Sequence, residues 1–161
     1  MHEFRANAIA TVRNARHDLD DDTGWGAVES VIETEPDRAA GLEGLADFSH
    51  VLVVFHLHRD PGEAPALRRR PRGRADMPLV GVFAQRGRNR PNPIGVSVAS
   101  IVRVEPGRLV VRGLDAVDGT PVLDLKPYVP AFDRREARVP AWMDELMRGY
   151  FERGAADRPG A

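Results

Sequence analysis

A chain of 161 residues, 42% of them hydrophobic, is long enough for one domain with its own core, and the absence of cysteine excludes a disulfide scaffold and thiolate metal sites. The formal net charge of -1 excludes a protein that is basic all over, so any contact with nucleic acid needs a local patch. No apolar run approaches the roughly 20 residues that cross a bilayer, and MHEFRANAIATVR lacks the basic-then-apolar order of an export signal, so the reading is a cytoplasmic protein without a membrane partner.

Short runs rich in Val and Ile, punctuated by Gly, Pro and Asp, predict strands at close spacing. In chain order, strands are expected over Ala8–Arg13 and Ala27–Glu33, followed by a short helix over Arg38–Leu45. A third strand, Ser49–His58, contains VLVVFHLH, which lacks clean alternation and predicts a strand covered on both faces. Residues 60–78, DPGEAPALRRRPRGRADMP, predict a long flexible loop. Strands over Leu79–Gln85, Ile94–Val104, Leu109–Leu114 and Val122–Lys126 complete the set. Between Val104 and Leu109, Glu105-Pro106-Gly107-Arg108 fits a type II turn and hence a hairpin. A C-terminal helix is expected over Pro140–Arg153, with proline at its start, Asp144 and Glu145 early, and Arg148 late. Its apolar residues, from Trp142 to Phe151, form one wide face that must pack on the sheet or on another subunit. Strand-helix-strand units do not recur, so the fold class is mainly β: a closed or partly closed antiparallel β-barrel with a short helix and a C-terminal helix. A single domain over 1–154 and a frayed tail over 155–161 follow.

Of the 23 basic residues 22 are arginine, and they cluster at Arg68, Arg69, Arg70, Arg72 and Arg74, then at Arg86, Arg88 and Arg90. In RGRNRPNPIG, Pro91 and Pro93 fix their own φ and push Arg90 and Asn92 toward extended conformations. Such a stiff loop holds arginine forks and the Asn92 amide at low entropic cost, which suits planar recognition of a carboxylate, phosphate or base edge; a polar turn between strands fits the pattern as well. Gly95 leaves room for a ligand or another backbone.

The second informative segment is GLDAVDGTPVLDLKPY, from Gly113 to Tyr128. Asp118-Gly119 is turn chemistry, and Asp118 and Thr120 suit a capped turn. Asp124 and Lys126 share one strand face beside Tyr128, as a site wall or as a surface ion pair. His56 and His58 also share a face, but no carboxylate or cysteine completes a ligand set, so no metal is expected.

Together FSHVLVVFHLH (48–58), GVFAQRGRNRPNPIGVSV (81–98) and GLDAVDGTPVLDLKPY (113–128) closely resemble the TrmO/TsaA-like family of methyltransferases, a likeness running from about Ile9 to Phe132. The resemblance implies a β-barrel enzyme that uses S-adenosylmethionine, works as a homodimer with the cofactor near the subunit interface, and N6-methylates threonylcarbamoyladenosine beside the anticodon of certain tRNAs. By motif it implies that His56, Leu57, Arg86, Val98, Asp118, Gly119, Thr120 and Pro121 contact the cofactor. Arg90, Asn92, Asp124, Lys126 and Tyr128 would shape the site or meet the substrate. In-line methyl transfer needs alignment above all, and holding donor and acceptor together supplies about 7 to 11 kcal/mol of the barrier. Asp118 and His56 are the candidate proton acceptors.

Two departures stand out. Family members commonly read ATRSPFRPNPIG where this chain reads AQRGRNRPNPIG, which introduces Gln85, Arg88 and Asn89. The N-terminal DLDDDTGWGAVESVIE lacks the Arg-Gln-Pro segment of many relatives, leaving Trp25 as a residue that would stack on a ring instead. Two other functions fit the same residues: a methyltransferase of this fold acting on a small molecule or another RNA, and an RNA-binding barrel without enzymatic activity.

Overall fold

Six of the predicted strands close into one antiparallel barrel because most of them carry an inward row of apolar residues that closure removes from water. A computed structural model describes residues 4–20, 23–59 and 66–152. The barrel strands are β1 (Ala10–Arg13), β2 (Glu29–Thr34), β3 (His50–His56), β6 (Ile94–Glu105), β7 (Arg108–Arg112) and β8 (Pro121–Pro127), in the order β1-β2-β7-β6-β3-β8. Two two-residue strands, β4 (Arg68–Arg69) and β5 (Val80–Gly81), pair separately. β1 closes the barrel onto β8 through Ala10 opposite Val122. The longest pairing sets β3 against β6, from His50 opposite Ser100 to His56 opposite Ile94.

The core is the inner face of these strands: Val12, Ile32, Val51, Val53, Phe55, Leu109, Val111 and Val122 are buried together, with Leu42 and Leu45 packed against them. Burying each large side chain of this set contributes on the order of 1.5–3 kcal/mol. The β6–β7 hairpin turns at Pro106-Gly107, where Gly107 takes φ 71°, the positive value expected at the third turn position. β6 is built in the opposite sense from the other strands. Its inward residues are the small Gly95, Ser97 and Ala99, while Ile94, Val96 and Val98 point outward. The reason is Phe55: a Cβ on Gly95 would lie 2.3 Å from the Phe55 ring, so the ring occupies the space a larger β6 side chain would need. What Gly95 admits is an aromatic ring of the adjoining strand.

Several expectations change. Leu79–Gln85 is not a barrel strand. A closed barrel offers no free edge, so Val80–Gly81 pairs with Arg68–Arg69, and Val82–Ala84 forms a 3-10 turn whose Val82 amide donates to the Leu67 carbonyl at 3.0 Å. The helix expected over Arg38–Leu45 is two 3-10 segments, Pro36–Leu42 and Leu45–Asp47, separated where Gly44 takes φ 84°. β3 is not covered on both faces. Val51, Val53 and Phe55 are buried and the residues between them are half-buried, because a barrel of one layer leaves its outer face open.

Of the long loop, residues 66–78 are folded, anchored by buried Pro71 and Met77; 60–65 lie outside the described residues. The short helix α1 (Pro130–Asp133) follows β8. The C-terminal helix α2 spans Ala141–Met147 and is shorter than Pro140–Arg153. It ends because the following backbone turns at Gly149, φ 76°, and the Gly149 and Tyr150 carbonyls accept from the amides of Gly24 and Trp25 at 3.2 and 2.9 Å. Arg153 and the tail 155–161 lie outside the described residues.

Candidate functional site

A cleft of about 1120 Å³ opens beside the outer edge of β6, walled by the 85–90 loop, the 69–72 segment, the end of β3, and the α2 region with Tyr150 and Phe151. The stiffness expected of RGRNRPNPIG has a visible basis. The Leu57 amide donates to the Pro93 carbonyl at 2.8 Å, fastening the loop to the end of β3, and the Ile94 amide closes a tight turn on the Asn92 carbonyl at 2.7 Å. Arg86 Nη2 donates to the Val96 carbonyl at 2.6 Å, and Arg90 Nη1 donates to the Gln85 carbonyl at 3.2 Å. Both guanidiniums are therefore held against the backbone.

Gln85 explains itself in the same way. Its Nε2 donates to the Arg69 carbonyl at 3.0 Å from a buried position, so the amide that departs from the family pattern ties the two arginine segments together. Arg69, Arg88 and Arg90 consequently share one wall of the cleft. Burial first, then the charges of Arg88 and Arg90, push the Arg69 guanidinium below its usual value. Among the described residues, buried Arg69 Nε and Asn89 Oδ1 have no hydrogen-bond partner. Arg88 reaches the Leu19 carbonyl at 3.2 Å and the exposed Asp20 carboxylate at 3.4 Å. Like charges crowded this closely, with a buried donor unsatisfied, make a receptor for an anion.

The opposite pole is acidic. Asp115, just past β7, receives hydrogen bonds from Ser97 Oγ at Oδ1 and from Tyr150 Oη at Oδ2, the latter at 3.1 Å. Burial pushes its carboxyl above the ordinary range, opposed by the two hydroxyls and by the charge of Arg86. His58 also lines the cleft, with its imidazole lowered by burial and then by Arg59 and His56. Trp25 is buried in the wall with the Arg16 guanidinium 4.7 Å from its ring, so one face of the indole is already covered.

Of the residues that the family resemblance assigned to cofactor or substrate, Leu57, Arg86, Arg90, Val98 and Thr120 line the cleft. The others stand outside its lining. His56 is the last residue of β3, opposite Ile94, and Asn92 is exposed on the loop. The Asp118-Gly119 turn is bound to the N-terminal segment: Asp118 Oδ1 accepts from the Asn14 amide at 3.1 Å, its Oδ2 lies 4.0 Å from His17 Nδ1, and the Gly119 amide donates to the Val12 carbonyl at 2.8 Å. Pro121 opens β8 opposite Thr11. Asp124 and Lys126 form an exposed ion pair at 2.7 Å, and Tyr128 packs its ring near His50.

Sequence reasoning missed Asp115, Ser97 and Tyr150 as a set. A signal existed for the first: Asp115 is the one charged residue in the apolar run Leu114-Asp115-Ala116-Val117, whose other members are buried. Among the described residues, no three His, Cys, Asp or Glu side chains converge as a metal site requires, and no helix is long and apolar enough to cross a membrane.

Comparison with known proteins bears on what the cleft does. Residues 20–134 match the family described as tRNA-methyltransferase O N-terminal domain. A protein of Archaeoglobus fulgidus named as an S-adenosyl-L-methionine-binding protein is 42% identical over 104 residues, covering 65% of this chain and 72% of that one. The mouse tRNA (adenine(37)-N6)-methyltransferase is 40% identical over 92 residues, 57% of this chain and 21% of the mouse protein. The crystal structure of TrmO from Pseudomonas aeruginosa superposes with a TM-score of 0.69 at 32% identity, covering 99% of this chain and 64% of that one. The chain spans between 59% and 64% of the length of several longer relatives it matches.

Proposed function

Because the chain belongs to the tRNA-methyltransferase O N-terminal domain family, we propose that it transfers a methyl group from S-adenosylmethionine to N6 of a tRNA adenine beside the anticodon, with threonylcarbamoyladenosine as the acceptor. The observation that carries this reading is the two-poled cleft, with Asp115 on one side and Arg69, Arg88 and Arg90 on the other. The cofactor fits its chemistry. S-adenosylmethionine carries a carboxylate, and the cleft offers arginines to meet it, one of them with a buried donor that has no partner among the described residues. Its volume of about 1120 Å³ exceeds the roughly 300–1,000 Å³ of a typical small-ligand pocket, which leaves room for a nucleobase as well. When bound, the cofactor supplies an already activated methyl group. The chain's own contribution is to align and to exclude water: Arg86, Leu57, Val98 and Thr120 hold one reactant, and the stiff 85–90 rim fixes the approach of the other.

The arginine wall supports the substrate assignment. A threonylcarbamoyl group adds a carboxylate to the base, and tRNA adds phosphates, so both meet a cluster of three arginines of which one, Arg88, is paired with an exposed carboxylate, that of Asp20. The homodimer belongs to the same reading. Ile94, Val96 and Val98 are 44%, 40% and 44% exposed on the outer face of β6, and Phe83 is 77% exposed beside them. Apolar residues contiguous with a cleft in this way suit a second copy of the chain. A cytoplasmic setting, where tRNA is modified, accompanies it.

The test is direct. Purified protein is incubated with S-adenosylmethionine and tRNA with or without the threonylcarbamoyl group, and the nucleosides are separated by mass spectrometry. A methylated product only from the modified tRNA is expected, and its absence refutes the assignment. In calorimetry Arg86→Ala weakens cofactor binding at least tenfold; unchanged affinity removes Arg86 from the pocket.

A further inference from the structure

Asp115 is an acidic group of the cleft that alignment alone does not require. It sits between buried Leu114 and Ala116, and its carboxylate is reached by hydroxyls from two separate elements, Ser97 on β6 and Tyr150 after α2. The charged group facing it is Arg86 from the 85–90 loop, and Arg72 lies 6.0 Å from the Tyr150 ring behind the phenol. The inward row of β6 is small at this point, so Ser97 approaches Asp115 without a bulky neighbour on its strand. Each carboxylate oxygen accepts one hydroxyl, and the backbone amide of Asp115 is a further donor to the carboxylate.

Building on the function proposed above, we infer that Asp115 is a catalytic residue that accepts the proton lost from adenine N6 as that nitrogen is methylated. The N6 lone pair forms the new nitrogen–carbon bond, the methyl–sulfur pair stays on sulfur, and the proton passes to an Asp115 oxygen, which later releases it to water. The environment suits the task. Burial makes this carboxylate more basic than an exposed one, while Ser97, Tyr150 and Arg86 favour its ionised form, so it is poised to take a proton. Asp118, the acid the sequence suggested, has its carboxylate occupied by Asn14 and His17 outside the cleft lining, and His56 ends β3 outside it too.

The experiment compares the full-length protein with Asp115→Asn, using S-adenosylmethionine and a threonylcarbamoylated anticodon stem-loop. Cofactor affinity by calorimetry stays within about threefold, while kcat falls about 10²- to 10⁴-fold, the range of a lost general base. A carbon-13 titration of the aspartate carboxyls in the wild type shows one resonance titrating above the ordinary range, absent from the variant. Tyr150→Phe is the second variant, and serves if Asp115→Asn misfolds. It removes a hydrogen bond to the ionised carboxylate, so the acid limb of kcat moves to higher pH while cofactor affinity is unchanged. Asp115→Asn with kcat within threefold of wild type, or with cofactor binding lost in parallel with kcat, overturns the role, as does a Tyr150→Phe profile that does not move. A wild-type protein that methylates no RNA overturns the tRNA reading and the role with it, whereas wild-type turnover beside an unaffected variant overturns the role alone.

Discussion

Gly95→Ala isolates the contact on which the rim of the cleft is seated. The added methyl would stand 2.3, 2.4 and 2.9 Å from Cε2, Cζ and Cδ2 of Phe55, far inside van der Waals contact. Phe55 is 2% exposed and packed among Val51, Val53 and their barrel neighbours, so its ring has nowhere to go without displacing β3 from β6. Overpacking a dense core by one carbon costs about 1–3 kcal/mol. At about 2–4 °C per kcal/mol for a chain of this size, the melting temperature falls by about 2–12 °C. Scanning calorimetry measures it, with Gly41→Ala as the control, since a Cβ there meets nothing within 4 Å and its shift stays within about 0.5 kcal/mol. Adding Phe55→Leu to Gly95→Ala makes room for the methyl, so the pair is coupled by about 0.5–3 kcal/mol. Equal shifts for the two alanine variants, or additive behaviour of Gly95→Ala with Phe55→Leu, would refute the packing argument.

The remaining predictions concern charge. Arg69→Met relieves repulsion from Arg88 and Arg90 and removes an unsatisfied buried donor, so the melting temperature holds or rises in the absence of ligand. The same variant binds tRNA more weakly, and its slope of log affinity against log salt is smaller by about one; a fall in melting temperature with an unchanged slope contradicts it. The raised Asp115 carboxyl implies a pH signature in stability. The native state holds that proton at pH values where the unfolded chain has released it, so this group's contribution is present below the unfolded value of about 3.9 and is lost as pH rises through the native one. Asp115→Asn lacks that loss, and its melting temperature relative to wild type therefore rises from pH 3.5 toward pH 7. The difference cancels Asp76 and Glu105, whose lowered carboxyls act in the opposite direction in both proteins. A flat difference excludes a perturbed Asp115.

Local chemistry made much of the barrel legible. The turn at Pro106-Gly107 and the Val- and Ile-rich runs around it need no distant partner to be recognised, and six of the seven expected strands form. Leu79–Gln85 failed because a strand needs a free edge, which is a property of the closed sheet and not of the segment. The C-terminal helix was found but overextended, since its end is set by the backbone of Gly24 and Trp25. In the site, Arg86 and Arg90 were visible because prolines advertise a stiff loop, whereas the buried Gln85 hydrogen bond that ties Arg69 to that loop was not.

The order of residues by itself determined an antiparallel β-rich domain, two arginine segments, a rigid proline-bounded rim, and motifs that name a family, because propensity, turn chemistry and side-chain inventory are local. Only the tertiary structure decided that Gln85 ties Arg69 to the 85–90 rim, that Gly95 serves Phe55, and that Asp115 meets Ser97 and Tyr150 across 18 and 35 positions of chain. Those are contacts between elements that become neighbours when the barrel closes. A carboxylate's basicity depends on what surrounds it after that closure, and no window of sequence contains its surroundings.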